Sequence, residues 1–175
     1  MTRAVLSLGS NLGDRLAHLR AAVAALTPVL EAVSLVYETP PWGDPDQPSY
    51  FNAVALVRDE AATARDWLDR AQAIEASEGR VRDPERRFGP RTLDVDVIAV
   101  WAPDGRPVTS DDPVLTLPHP RAHLRAFVLR PWADLEPDAE LPGHGRVAEL
   151  LWSGPAADDV AAVRARPELR IQSAG

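Results

Sequence analysis

No cysteine occurs in the 175 residues, so a disulfide framework, a thiolate nucleophile and a thiolate metal site are all excluded. Lysine is missing as well: all 19 basic residues are arginine. Any phosphate held by a side-chain cation is therefore held by guanidinium, and an ordinary P-loop lysine is ruled out. Long apolar runs are absent, and nothing approaches the roughly 20 residues that cross a bilayer. The start, MTRAVLSLGSN, reads as a short strand and a turn, without the apolar stretch and small-residue cleavage site of a signal peptide. A cytoplasmic protein with no membrane partner is expected. Positive charge is in short supply, with a net charge of −7, which argues against a nucleic-acid backbone as partner. With 45% hydrophobic residues the chain suffices for one domain with a core, residues 1–175, and is short for two.

What is present has a readable order. Residues 4–9 (AVLSLG) alternate as a strand, and residues 10–14 supply a turn and helix caps. Leu16, Leu19, Val23 and Leu26 then repeat at helical spacing. Residues 29–38 (VLEAVSLVYE) read as a second strand, TPPWGDPDQPS as an irregular loop, and residues 51–57 as a third strand. A second helix is expected over residues 62–78, ended by Gly79. TLDVDVIAV has the strongest strand pattern in the chain. The order β-α-β-β-α-β predicts an α+β, ferredoxin-like core: an antiparallel sheet with helices on one face, plus C-terminal additions. A short helix is expected near 147–151; residues 153–175 read as either a loosely packed helix or a frayed tail.

Two segments carry chemistry. In a strand, Asp94 and Asp96 point to the same face, about 6–7 Å apart. Paired carboxylates on an otherwise apolar strand repel each other and are costly to desolvate unless a cation joins them. Magnesium, which binds through one or two carboxylates plus substrate phosphates, is the economical partner. The bland reading is a solvent-facing edge, but Ile98 shares the aspartate side, so that side is not simply solvent. Just upstream, GRVRDPERRFGPR gathers Arg80, Arg82, Arg86, Arg87 and Arg91, whose forked N–H donors match phosphate oxygens. The alternative is an exposed loop whose arginines pair with Asp83 and Glu85. His119, held between two prolines, and the following Arg121 and Arg125 form a second phosphate-facing candidate. Tyr50 and Asn52 share one strand face, and Phe127 lies far downstream. These suit a flat heteroaromatic ligand, although aromatics entering a strand are more often core. GSNLGDR is read as a turn and cap, His18 and His144 as surface residues.

LGSNLGDR, YETPPWG with DQPSYFNAV, QAIEASEGRVR, RFGPRTLDVDV and LPHPRAHLRAFVLRPW together resemble the 6-hydroxymethyl-7,8-dihydropterin pyrophosphokinase family over residues 4–135. The resemblance implies a reaction that moves pyrophosphate from ATP to the hydroxymethyl oxygen of 6-hydroxymethyl-7,8-dihydropterin, releasing AMP, in folate biosynthesis. It implies Asp94 and Asp96 as ligands of two Mg2+ ions, and Arg80 and Arg91 as the mobile-loop arginines on the transferring phosphates. Gln72, Arg82, Thr116, His119 and Arg125 would hold ATP; Thr39, Trp42, Tyr50, Asn52, Phe88 and Phe127 would form the pterin pocket, with Tyr50 and Phe127 stacking on the ring. A monomer is expected. Phe88 stands where the family usually has Trp, and the loop is one residue longer than a common version, which leaves Arg86 and Arg87 undecided. Rival readings are a metal-dependent nucleotidyltransferase, which would release pyrophosphate instead of AMP, and a non-catalytic ferredoxin-like ligand-binding module.

Overall fold

A computed structural model describes residues 1–81 and 84–172. In chain order the elements are Thr2–Ser10 (β1), Arg15–Leu26 (α1), Leu30–Val33 (β2), Tyr37–Thr39 (β3), Tyr50–Asp59 (β4), Ala64–Ser77 (α2) and Asp94–Trp101 (β5). They continue with Ser110–Asp112 (β6), Leu115–Leu117 (β7), Ala126–Leu135 (α3), Glu140–Leu141 (β8), Gly145–Arg146 (β9), Val147–Ser153 (α4) and Arg164–Ala165 (β10). The main sheet runs β10-β3-β4-β1-β5, with β2 also pairing β4, and every pairing is antiparallel. This is the ferredoxin-like order expected from the sequence.

Alternation along the central strands builds both faces. Ala4, Leu6 and Leu8 of β1, with Ala53, Ala55 and Val57 of β4, pack with Leu19, Val23 and Leu26 of α1 and with Trp67, Ala71 and Ile74 of α2. Both helices are anchored at their starts. The Asp14 carboxylate accepts from the Ala17 N–H, and Thr63 and Asp66 form a reciprocal capping box on α2. At the other end of α2, Gly79 takes φ +73°, which lets the Arg80 N–H close back onto the Glu75 carbonyl at 3.1 Å.

The opposite face is not left open, contrary to the one-sided expectation. The C-terminal additions cover one end of it: Val5, Val54, Leu56 and Ile98 pack against Ala126, Leu129 and Trp132 of α3 and Val147 of α4. Beyond that cover, the same face turns polar, presenting Ser7, Gly9, Asn52, Asp94 and Asp96 side by side. The functional floor is thus the uncovered half of a face whose other half is core.

Two further expectations are corrected. Residues 29–38 are not one strand but two, β2 and β3, broken at Ser34. The Ser34 hydroxyl accepts from the Val54 N–H at 2.9 Å and donates to the Leu35 carbonyl at 2.8 Å, so a side chain replaces a rung of the ladder. The segment after α4 is neither a loose helix nor frayed through residue 172. It forms a 3-10 turn, Ala157–Ala162, then β10 against β3, and buries Ala156 and Ile171.

Candidate active site

Gly9 of β1 is opposite both Asn52 and Asp94 in register. A Cβ at Gly9 would meet Asn52 Oδ1 at 2.7 Å, so only glycine lets that amide lie flat across the floor. There Asn52 Nδ2 donates to Thr39 Oγ1 at 2.6 Å, leaving the buried pair oriented at one edge of a pocket of about 470 Å3. Tyr50, Trp42, Phe88 and Phe127 supply its aromatic walls, with Trp42 and Phe88 edge-to-face at 5.5 Å. A second, wider cleft of about 1230 Å3 is lined by Gln72, Thr116, His119, Arg80 and Arg87. Phe88, Arg91, Asp94, Asp96 and Arg125 line both.

At this shared wall the charges interlock. Arg80 Nη1 donates to Asp94 Oδ1 at 3.2 Å and Arg91 Nη1 to Asp94 Oδ2 at 3.1 Å. Burial opposes ionisation of Asp94, but Arg91 and Arg80 overcome it and hold its carboxyl below the usual range. Asp96 moves the other way: burial and then the Asp94 charge push it up, and the pull of Arg125, at 3.5 Å, and of Arg91 is not enough. Arg125 is itself buried; its guanidinium sits 4.8 Å from the Trp42 ring, and its Nε–H has no acceptor among the described residues. A buried cation with an unmatched donor beside two carboxylates suits a ligand bearing both anionic oxygen and metal.

Glu75 was missed by sequence reasoning, which read residues 62–78 only as a helix. It is 4% exposed, accepts from the Val95 N–H at 3.0 Å and is pushed up, first by burial, with Asp94 adding. An acid inside an apolar helical stripe was the available signal. Asn11, read as part of a turn, is also buried and ties three segments together. Its Nδ2 donates to Gln47 Oε1 at 2.8 Å and the Pro48 carbonyl at 3.0 Å, while its Oδ1 accepts from the Arg91 N–H at 2.9 Å.

Every other candidate named from the sequence lies on one or both pockets, except Arg86 and Arg82, the latter outside the described residues. The undecided pair separates. Arg87 lines the wide cleft, whereas Arg86 turns to the proline-rich loop, its Nε donating to Asp44 at 2.5 Å and its Nη2 to the Asp46 carbonyl at 2.6 Å. His119 accepts the Arg121 N–H on Nδ1 at 3.1 Å, and burial followed by the Arg125 charge lowers it to about 4, so it is neutral at pH 7. His144, read as a surface residue, is exposed and stacks on His123 at 4.1 Å, whereas His18, read the same way, is half-buried with its Nδ1 2.9 Å from Glu78 Oε1.

Comparison with known proteins agrees with this geometry. Residues 5–137 match the model of the 7,8-dihydro-6-hydroxymethylpterin-pyrophosphokinase (HPPK) family. The chain is 50% identical over 149 residues to the 2-amino-4-hydroxy-6-hydroxymethyldihydropteridine pyrophosphokinase of Mycobacterium tuberculosis, covering 83% of this chain and 78% of that one. The identically named Pseudomonas aeruginosa protein is 42% identical over 157 residues, covering 87% and 92%. Among solved structures, a wild-type Plasmodium falciparum HPPK-DHPS matches with a TM-score of 0.61 at 12% identity, covering 94% of this chain. The chain spans 47% of that longer protein, so this likeness concerns the fold alone. The chain belongs to the 7,8-dihydro-6-hydroxymethylpterin-pyrophosphokinase family, enzymes of folate biosynthesis that transfer pyrophosphate from ATP to hydroxymethyldihydropterin.

Proposed function

We propose that this chain runs the family reaction at the wall shared by its two pockets, with the pterin in the aromatic slot and ATP in the wide cleft. The observation that carries the reading is that Arg91, Asp94, Asp96 and Arg125 line both spaces, so a hydroxymethyl group in one faces phosphates in the other. In this reading Tyr50 and Phe127 flank the pterin ring, Trp42 and Phe88 close over it, and Thr39 and Asn52 read its polar edge. Gln72, Thr116, His119, Arg82 and Arg125 hold ATP. A neutral His119 offers a hydrogen bond without adding charge.

Asp94 and Asp96 fit magnesium. They offer hard oxygen donors on one strand face, and no three His, Cys, Asp or Glu side chains among the described residues converge to hold an ion alone. Phosphate oxygens would complete the shell, as is usual for this ion. When bound, two Mg2+ ions would neutralise phosphate charge and favour the ionised hydroxyl. The chain's own residues do the rest. Arg80 and Arg91 grip the transferring group, and the Phe88–Trp42 contact excludes water while the hydroxymethyl oxygen attacks the β-phosphorus in line and AMP leaves. In this reading residues 1–175 act as one domain, in the cytoplasm and as a monomer.

Incubation with ATP, magnesium and the pterin alcohol should release AMP. Release of pyrophosphate would instead make the chain a nucleotidyltransferase, and no turnover would leave only a binding module. Arg91→Ala should lower kcat about 100-fold or more while ATP affinity changes far less.

A further inference from the structure

Both ends of the proline-rich loop at the ring slot converge on one carboxylate. Glu38 precedes Thr39, where the loop begins. Its Oε2 lies 3.8 Å from Arg15 Nη1, the same nitrogen that donates to the carbonyl and hydroxyl of Ser49 at 3.0 and 3.1 Å, where the loop ends. Its Oε1 lies 3.4 Å from Arg164 Nη2 and 3.3 Å from Arg166 Nη1. Those two arginines come from the C-terminal segment, well outside the residues that match the family. The same segment pairs β10 with β3, placing Arg164 opposite Glu38 and Ala165 opposite Tyr37, and the Arg166 N–H donates to the Val36 carbonyl at 2.8 Å.

The segment also stands behind the slot. A third pocket, about 380 Å3, has Thr39, Trp42 and Phe127 on one side and Asp159, Ala162 and Val163 on the other. Trp42 and Phe127 are thus shared between the ring slot in front and a space closed by the C-terminal segment at the back.

We propose that residues 157–166 are a positioning element of the ring slot: they fix β3 and the proline-rich loop through Glu38, back Trp42 and Phe127, and so set the slot's fit to the pterin. This rests on the pterin assignment above. Arg164, Arg166 and Ala162 line neither the ring slot nor the wide cleft, so they act only through Trp42, Phe127 and Thr39.

The test measures dissociation constants for the hydroxymethyl pterin and for a non-hydrolysable ATP analogue, with the Tm of each variant. Arg164→Ala with Arg166→Ala should weaken pterin binding about five-fold, as expected for two partly exposed ion pairs, and leave the ATP analogue within about two-fold. Arg164→Lys with Arg166→Lys should retain most of the affinity. Ala162→Phe, which pushes bulk against the slot wall from behind, should weaken pterin about three-fold and leave the ATP analogue within about two-fold. Unchanged pterin affinity in both variants would overturn the proposal, as would a parallel loss of affinity for both ligands, which marks general loosening. Failure of the pterin assignment itself would show first in the unsubstituted protein, which would then not bind the pterin.

Discussion

His119 gives the ligand-free protein a titration of its own. Its folded pKa, about 4, lies below the usual 6.5 of an unfolded histidine. The unfolded chain therefore binds more protons between those values, so the stability from a neutral His119 is complete above pH 6.5 and is lost as pH falls toward 4. The loss is on the order of 2 kcal/mol. His119→Asn preserves an acceptor for the Arg121 N–H, as Asx turns do, but cannot titrate. Urea unfolding at pH 7 and pH 4.5 should show a smaller drop for the variant; equal drops would remove His119 from the acid response. Arg86 and Arg87 offer a second contrast between neighbours. Arg87→Ala should weaken ATP binding, while Arg86→Ala should leave it nearly intact and loosen the loop at Asp44, as read by titration with the analogue. Asp94, Asp96 and the arginines were legible because strand period and charge clustering are local properties. Glu75 and Asn11 were not, since each earns its role from partners 20 and 80 residues away.

Among the elements, the break between β2 and β3 is the most exposed to a single change. Ser34→Ala removes the acceptor for the buried Val54 N–H, an orphaned donor worth about 1–3 kcal/mol. The denaturant midpoint should fall accordingly, and Ser34→Thr should restore most of it; an unshifted alanine variant would mean another acceptor replaces the hydroxyl. The sequence pattern showed a β-branched run here but not the interruption, because a serine inside such a run looks like any outward-facing position. Tail structure was hidden for a related reason. β10 is two residues long and is defined by its pairing with Tyr37 and Glu38, so no periodicity within the tail could announce it.

At the scale of the whole molecule, one sheet face is divided between a core under α3 and a polar floor that carries the site. The central βαββαβ order followed from patterns inside each segment, whereas the covering of the second face depended on where α3 and α4 come back to pack. On the proposed reading, in which Asp94 and Asp96 hold magnesium against a polyphosphate, ATP should raise the Tm strongly with magnesium and far less with EDTA present. Equal shifts would remove the carboxylates from ATP binding. No helix among the described residues is long and apolar enough to cross a membrane.

The shared wall also bears on how inhibitors would be found. A compound seated in the aromatic slot meets Arg91, Asp94, Asp96 and Arg125 at one end, and in the proposed reading nucleotide in the adjoining cleft meets the same four side chains. Its affinity is then a property of the nucleotide-loaded protein, and by reciprocity it tightens or weakens nucleotide by the same factor. Screens run on empty protein would rank such compounds by the wrong surface.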